Sequence, residues 1–273
     1  MFLSISEFFK YLLLGLVQGI TEPLPISSSG HLIIFKNIFN VNMVDEINFN
    51  IIVNFASLLA ILIYYRKFLL EIIGGAFSFI FKKNKDKKNE FSYCLLVVVA
   101  TIPAGIAGLF LKDIIDEKFS SLLSVGISLF ITGLLLNFIH YVSKKAKTDK
   151  ISLKTSILMG FAQIIGLFPG ISRSGSTTSF GVLNKVDLEK ALRFSFMMYI
   201  PVSIASLFLG IMDLDINNIY IGGYIIAFFM SLIGTYVAIN LFFKLVKKDN
   251  LKYFGYYCLA VSMTVLIYLA ITK

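Results

Sequence analysis

Length, composition and charge place this chain in a membrane. Of its 273 residues, 57% are hydrophobic and only 15% are charged, and the mean hydropathy is +0.83. Soluble domains carry about 25% charged residues, so the composition excludes a soluble protein and indicates an all-α integral membrane protein. The net charge of +9 does not indicate nucleic-acid binding, because the Lys and Arg residues concentrate in loops between apolar stretches.

The N-terminal segment, 1–48, is predicted to form a re-entrant helical hairpin. Two apolar pieces, 8–20 and 32–39, flank the polar sequence Glu22-Pro23-Leu24-Pro25-Ile26-Ser27-Ser28-Ser29-Gly30. The second piece is too short to cross the hydrocarbon core, which takes about 20 residues. Unpaired polar groups are costly in lipid, so this sequence is expected to turn inside the protein.

Gln18 and Glu22 are the candidate metal ligands of this hairpin. They lie four residues apart on one helical face, and Pro23 and Pro25 break the helix beyond them. Amide and carboxylate oxygens suit a hard divalent cation that completes its shell with phosphate oxygens and water. The alternative role of Glu22 is a salt bridge to Arg173.

His31 follows the serines of the same hairpin. It lies three residues after Ser28 and nine after Glu22. This spacing allows a Ser–His–Glu arrangement for nucleophilic attack. The simpler interpretation is a hydrogen-bonded histidine in the protein core, and the spacing alone leaves both open.

Six longer apolar stretches are predicted to cross the membrane as helices. They lie near 49–65, 91–111, 120–142, 194–212, 219–243 and 254–271. The connecting loops differ in charge: 66–88, 144–154 and 244–252 are basic, 45–46 and 213–215 are acidic, and 112–118 is balanced. The positive-inside rule places the basic loops in the cytoplasm, and both termini are then outside.

The segment 155–190 begins and ends at cytoplasmic loops and predicts a second re-entrant hairpin. Apolar pieces 157–168 and 177–183 flank a polar turn that contains Arg173. A guanidinium, nearby hydroxyls, glycines that let backbone N–H groups approach, and a helix restarting after Gly175 together describe a phosphate or diphosphate site. The alternative is a structural arginine paired with a carboxylate or with carbonyl groups.

The two hairpins are predicted to belong to an inverted-topology repeat. A constant shift along the chain, 171 − 26 = 145 positions, carries 26–30 onto 171–175, Gln18 onto Gln163, and Phe49 onto Phe194. We call this shift the repeat offset. One membrane domain, 1–273, would then consist of halves at about 1–145 and 146–273, whose hairpins enter from opposite faces and share one site. The alternative is that each hairpin is a pair of tilted full-length helices.

The motifs resemble those of the undecaprenyl-diphosphate phosphatases, the bacitracin-resistance family of bacterial cytoplasmic membranes. The sequence from Gln18 to Glu22 fits the glutamate/glutamine-rich motif of that family. Residues 25–31 and 169–177 fit its two serine-rich motifs, and length and span order agree over the whole chain. The chain departs from the pattern at Gln18, where many members carry Glu, and at Pro23, where an aromatic residue is expected.

The resemblance implies hydrolysis of the terminal phosphate of undecaprenyl diphosphate with Mg²⁺ or Ca²⁺, at a site open to the outer face. Arg173 would neutralise the diphosphate, Glu22 and Gln18 would hold the metal, Ser28 or a metal-bound water would attack, and His31 would carry the proton. The expected substrate-binding residues are Ser27, Gly170, Ser172, Ser174, Gly175, Ser176 and Thr177. A homodimer is compatible with the sequence, and a polyprenyl-phosphate transporter is the competing functional class.

Overall fold

The computed structural model describes residues 5–39, 46–144, 148–212, 221–246 and 250–272. Within these ranges the chain is all-α, apart from one isolated bridge between Thr148 and Val186. The helices are α1 (Ile5–Thr21), α2 (Ser28–Ile38), α3 (Glu46–Phe81), α4 (Lys88–Phe119), α5 (Leu122–Ser143), α6 (Leu153–Ile165), α7 (Arg173–Leu183), α8 (Leu188–Met212), α9 (Ile221–Val246) and α10 (Leu251–Thr272).

Six of these helices are long and apolar enough to cross a membrane, which confirms the predicted all-α membrane protein with six spans. They are α3, α4, α5, α8, α9 and α10. The pairs α1–α2 and α6–α7 are the short helices of the two predicted hairpins. Each half of the chain therefore contains two short helices followed by three long ones.

Two predicted loops are wrong over most of their length. The basic segment 66–88 is largely helical, because α3 continues to Phe81 and α4 begins at Lys88, and 112–118 lies inside α4. The 36 residues of α3 extend about 54 Å, well beyond a hydrocarbon core of ~30 Å. The basic residues of 66–88 thus lie along the extended end of α3 and in the turn that joins it to α4. The acidic positions 45 and 213–215, together with 145–147 and 247–249, lie outside the described residues.

The helix surfaces carry large apolar side chains outward and small ones inward. In α4 the buried residues include Ala100, Ala104 and Ala107, at helical spacing. The outward side chains of the same helix are large and apolar: Leu95, Val98, Ile102, Ile106, Leu109 and Phe110. This reverses the arrangement of a soluble helix and is the pattern expected where lipid replaces water.

Close helix contacts recur at the repeat offset, which carries Gly15 onto Gly160. In α1, a Cβ added to Gly15 would lie 2.6 Å from the carbonyl oxygen of Ala227 in α9. In α6, a Cβ added to Gly160 would lie 2.5 Å from the carbonyl oxygen of Ala100 in α4. Small residues of this kind let helix backbones approach closely. The two halves therefore share a packing contact as well as an order of elements.

Candidate active site

The two polar turns meet inside the protein. We call residues 22–27 the first tip and residues 166–172 the second tip. The backbone N–H of Gly170 donates to Ser27 Oγ at 3.1 Å, and a Cβ added to Gly30 would lie 2.8 Å from the Cα of Gly170. Gly170 has a φ of +92°, a conformation that glycine adopts without strain. The predicted meeting of the two tips is thus present in the structure.

Equivalent serines cap the helices that follow the two tips. Ser27 Oγ accepts from the backbone N–H of Gly30 at 3.4 Å, and Ser172 Oγ accepts from that of Gly175 at 3.0 Å. Such caps satisfy backbone donors at a helix N-terminus. Because Ser172 is the cap, α7 begins at Arg173, ahead of the predicted restart after Gly175. Several groups expected to bind substrate therefore also hold the tips in shape.

Thr132 of α5 fixes the second tip from the side. Its hydroxyl donates to the carbonyl oxygen of Gly170 at 3.0 Å and accepts from the backbone N–H of Ser172 at 3.1 Å. The side chain is buried, so both backbone groups are satisfied away from water. Thr132 was not among the predicted site residues, because its only signal in the sequence is a hydroxyl within an apolar span.

The charged centre of the site lies on Glu22. Its Oε1 accepts from Arg173 Nη2 at 2.9 Å, joining the two hairpins through an ion pair. Its Oε2 accepts from Ser28 Oγ at 2.5 Å and from Gln18 Nε2 at 3.0 Å. The side chains of Glu22 and Arg173 are 8% and 17% exposed. The salt bridge considered as an alternative role for Glu22 is present, and it joins groups predicted to share one site.

A divalent cation fits these residues only in part. The described residues contain no group of three or more His, Cys, Asp and Glu side chains that could hold a metal. Mg²⁺ is commonly held by one or two carboxylates together with substrate phosphates, and Glu22 could serve in that way. Gln18 turns its amide nitrogen toward Glu22 and also donates to Asn54 Oδ1 at 2.7 Å. Ligation through the Gln18 oxygen therefore requires the amide to turn over.

Arg173 is held on two sides and has one unpaired end. Besides the ion pair, its guanidinium lies over the ring of Tyr199 of α8, with Cζ 4.0 Å from the ring centroid. Its Nη1 is buried and has no hydrogen-bond partner among the described residues. A buried cationic donor without a partner is costly. An anionic oxygen is the ligand that would satisfy it.

His31 has partners other than Ser28. Its Nδ1 lies 2.7 Å from the carbonyl oxygen of Ser27, and its Nε2 lies 2.9 Å from the hydroxyl of Tyr257, on which the ring also stacks. Because the carbonyl can only accept, Nδ1 carries the proton and Nε2 accepts from Tyr257. The Ser–His–Glu arrangement is therefore not formed, and Ser28 contacts Glu22 directly. His31 thus agrees with the simpler interpretation, a hydrogen-bonded histidine in the protein core.

The remaining serine-rich residues of α7 differ in their partners. Thr177 Oγ1 donates to the carbonyl oxygen of Arg173 at 2.9 Å and contacts Ser195 Oγ at 2.5 Å. Ser174 Oγ lies 3.3 Å from Ser172 Oγ. Ser176 Oγ is buried with no partner in the described ranges. Of the predicted phosphate ligands, Arg173 and Ser176 thus have buried polar side-chain atoms without a hydrogen-bond partner among the described residues.

Comparisons with known proteins identify the family of this chain. A family model described as bacitracin resistance protein BacA matches residues 11–264. Undecaprenyl-diphosphatase 2 of Bacillus thuringiensis is 42% identical over 264 residues, covering 95% of this chain and 97% of the relative. The undecaprenyl-diphosphatases of Oceanobacillus iheyensis and Acholeplasma laidlawii are 42% and 39% identical, each covering 95% of this chain and 96% of the relative. The chain therefore belongs to the bacitracin resistance protein BacA family.

Proposed function

We propose that this protein hydrolyses undecaprenyl diphosphate to undecaprenyl phosphate and inorganic phosphate, and so confers bacitracin resistance. The observation that carries the proposal is the Glu22–Arg173 ion pair where the tips meet, with Arg173 Nη1 unpaired among the described residues. The names of its relatives, which match along nearly the whole chain, support the same activity.

Substrate binding would use the positive charge of Arg173 and of the α7 N-terminus, which directly follow the second tip. Arg173 offers Nη1 to a phosphate oxygen, and the N-terminus of α7 adds its helix dipole at the same place. Ser176 Oγ is a further donor on this helix. The polyprenyl chain would lie along the apolar outer helix surfaces, in the lipid.

Ser28 would attack the terminal phosphorus. Its hydroxyl already donates to Glu22 Oε2, so Glu22 would take the proton as the Oγ–P bond forms. The bond from phosphorus to the bridging oxygen then breaks, and undecaprenyl phosphate leaves with that oxygen. In a second step water would attack the phosphoserine, the Oγ–P bond would break, Glu22 would return its proton to Ser28 Oγ, and inorganic phosphate would leave. His31, by binding the carbonyl oxygen of Ser27, holds the turn that presents Ser28.

The cation requirement and the orientation belong to the same proposal. Bound Mg²⁺ or Ca²⁺ would neutralise charge on the diphosphate oxygens, with Glu22 as its carboxylate ligand and Gln18 as a second ligand after its amide turns over. The protein is a multi-pass membrane protein. Loop charge supports basic loops in the cytoplasm and both termini outside, and the family supports a bacterial cytoplasmic membrane with the site open to the outer face. The hairpins would be re-entrant, because α2 and α7 have only 11 residues each.

Hydrolysis and lipid transport can be separated with purified protein. In detergent, we expect phosphate release from undecaprenyl diphosphate that stops with a chelator and returns with Mg²⁺. In liposomes, movement of a polyprenyl phosphate across the bilayer is measured in parallel. Transport without phosphate release would contradict the proposed phosphatase and favour a transporter.

A further inference from the structure

Tyr199 of α8 lies directly under the guanidinium of Arg173. The distance from Arg173 Cζ to the ring centroid is 4.0 Å, and the tyrosine is 6% exposed. We propose that Tyr199 is the positioning residue that orients Arg173 toward the diphosphate. The proposal deepens the proposed function and rests on it.

Two contacts together fix the orientation of the Arg173 side chain. Glu22 binds Nη2, and the Tyr199 ring covers one face of the planar guanidinium. An arginine side chain otherwise has many rotamers to lose on binding an anion. A guanidinium held by both contacts is already ordered, so an anion that reaches the buried Nη1 would bind it without that loss. The ammonium of an Arg173→Lys variant would gain less from the ring, because it lacks the planar fork.

The repeat assigns the same task to the same position in both halves. The repeat offset carries Asn54 of α3 onto Tyr199 of α8, since 199 − 54 = 145. Asn54 Oδ1 accepts from Gln18 Nε2, beside Glu22, so it supports the first hairpin. Tyr199 supports Arg173 of the second hairpin. Helices α3 and α8 thus each contact a candidate site residue of the hairpin that precedes them, Gln18 and Arg173 respectively.

The aromatic face, rather than the hydroxyl, is the part of Tyr199 that contacts the guanidinium. The hydroxyl lies near Glu22 and Ser203, but it has no hydrogen-bond partner within the described residues. A cation over a desolvated aromatic face is strongly attracted. Tyr199→Phe should therefore keep the contact, and Tyr199→Leu should remove it.

The test compares these variants with wild type in detergent. We expect Tyr199→Leu to lower kcat/KM for undecaprenyl diphosphate about 10-fold, mainly through KM, while Tyr199→Phe recovers most of the loss. Phe196→Leu is the matched control, because Phe196 is buried in the same helix and packs on Tyr65 and Phe243 instead of Arg173. In an Arg173→Lys background, Tyr199→Leu should cause little further loss.

A binding measurement separates this proposal from the proposed function. Inorganic diphosphate should protect wild type and Tyr199→Phe from thermal unfolding at lower concentrations than it protects Tyr199→Leu. Wild-type kcat/KM and wild-type protection in Tyr199→Leu would overturn the positioning role, even with hydrolysis intact. Equal losses in Tyr199→Phe or Phe196→Leu would overturn it as well. If wild type hydrolyses nothing, the proposed function fails, and the protection assay still decides the role of Tyr199.

Discussion

At the residue scale, Glu22 connects the two hairpins and the nucleophile candidate. Arg173, Ser28 and Gln18 all reach its carboxylate. A carboxylate that accepts a hydroxyl proton needs such placement, and its charge stays balanced by Arg173 while the substrate is absent. The proposed proton acceptor, Glu22, and the proposed anion-binding residue, Arg173, are therefore in direct contact.

Replacing Ser28 tests the attack step. Ser28→Ala removes the hydroxyl that contacts Glu22. We expect turnover to fall by about 10²-fold or more, because the proposed nucleophile is then absent. Rates of phosphate release are compared with those of Ser29→Ala, whose exposed hydroxyl contacts Ser27 instead. A phosphoserine at 28, found by mass spectrometry after rapid quenching, would support the step. Wild-type turnover by Ser28→Ala would remove Ser28 from the pathway.

At the element scale, the tips keep their shape through contacts to neighbouring helices. Ser27 reaches Gly170 of the other tip, and Thr132 of α5 binds both ends of the turn around Ile171. Irregular backbone inside a membrane protein needs this satisfaction from protein groups. The positions of Arg173 and Ser28 thus depend on contacts well outside the two side chains themselves.

Replacing Thr132 with valine tests whether its hydroxyl holds the second tip. The change keeps side-chain shape but leaves the N–H of Ser172 and the carbonyl of Gly170 unpaired, which costs about 1–3 kcal/mol of stability. Thermal unfolding in detergent measures the loss. Thr101→Val is the control, because the Thr101 hydroxyl donates to the carbonyl of Val97 in its own helix. Equal stability of the two variants would show that Thr132 does not hold the tip.

Elements with local sequence signals were predicted, and those that depend on distant contacts were missed. Prolines and serines mark both tips, and the predicted grouping of Glu22, Ser28 and Arg173 matches their contacts. The length of α3 was missed because basic residues do not end a helix that can extend past the lipid. Asn54 and Tyr199 are single residues in apolar spans, and only the repeat offset, applied beyond the motifs, relates them.

The position of His31 also shows a limit of sequence spacing. Its distance along the chain from Ser28 and Glu22 permits a relay, but the helical turn from Ser27 directs Nδ1 back to a carbonyl. Tyr257, in the last helix of the chain, occupies the other nitrogen. Such a partner has no local signal.

At the scale of the whole molecule, two equivalent halves supply different chemistry to one site. Under the repeat offset, Ser28 corresponds to Arg173, and the caps Ser27 and Ser172 correspond to each other. The repeat thus preserves the scaffold while the functional side chains differ. Opposite insertion of the hairpins would bring both tips to mid-membrane, as in other inverted repeats.

The proposed orientation is tested with single cysteines in a variant whose Cys94 and Cys258 are replaced by alanine. Lys82→Cys lies in the turn between α3 and α4, and Lys118→Cys lies at the far end of α4. Because the basic turn is assigned to the cytoplasm, a membrane-impermeant thiol reagent should label Lys118→Cys on intact cells. Labelling of Lys82→Cys alone would show that the orientation is the opposite of the proposed one.

We propose that Arg173, which lies where the tips meet, binds the diphosphate that this protein hydrolyses. The most direct measurement is the initial rate of phosphate release from undecaprenyl diphosphate by wild type and by Arg173→Lys, with folding checked by thermal unfolding. We predict rapid release by wild type and a loss of about 10²-fold in the variant, because a point charge cannot hold Glu22 through one nitrogen and the diphosphate through another. Full activity in a folded Arg173→Lys protein would contradict the proposed role of Arg173 in binding the diphosphate.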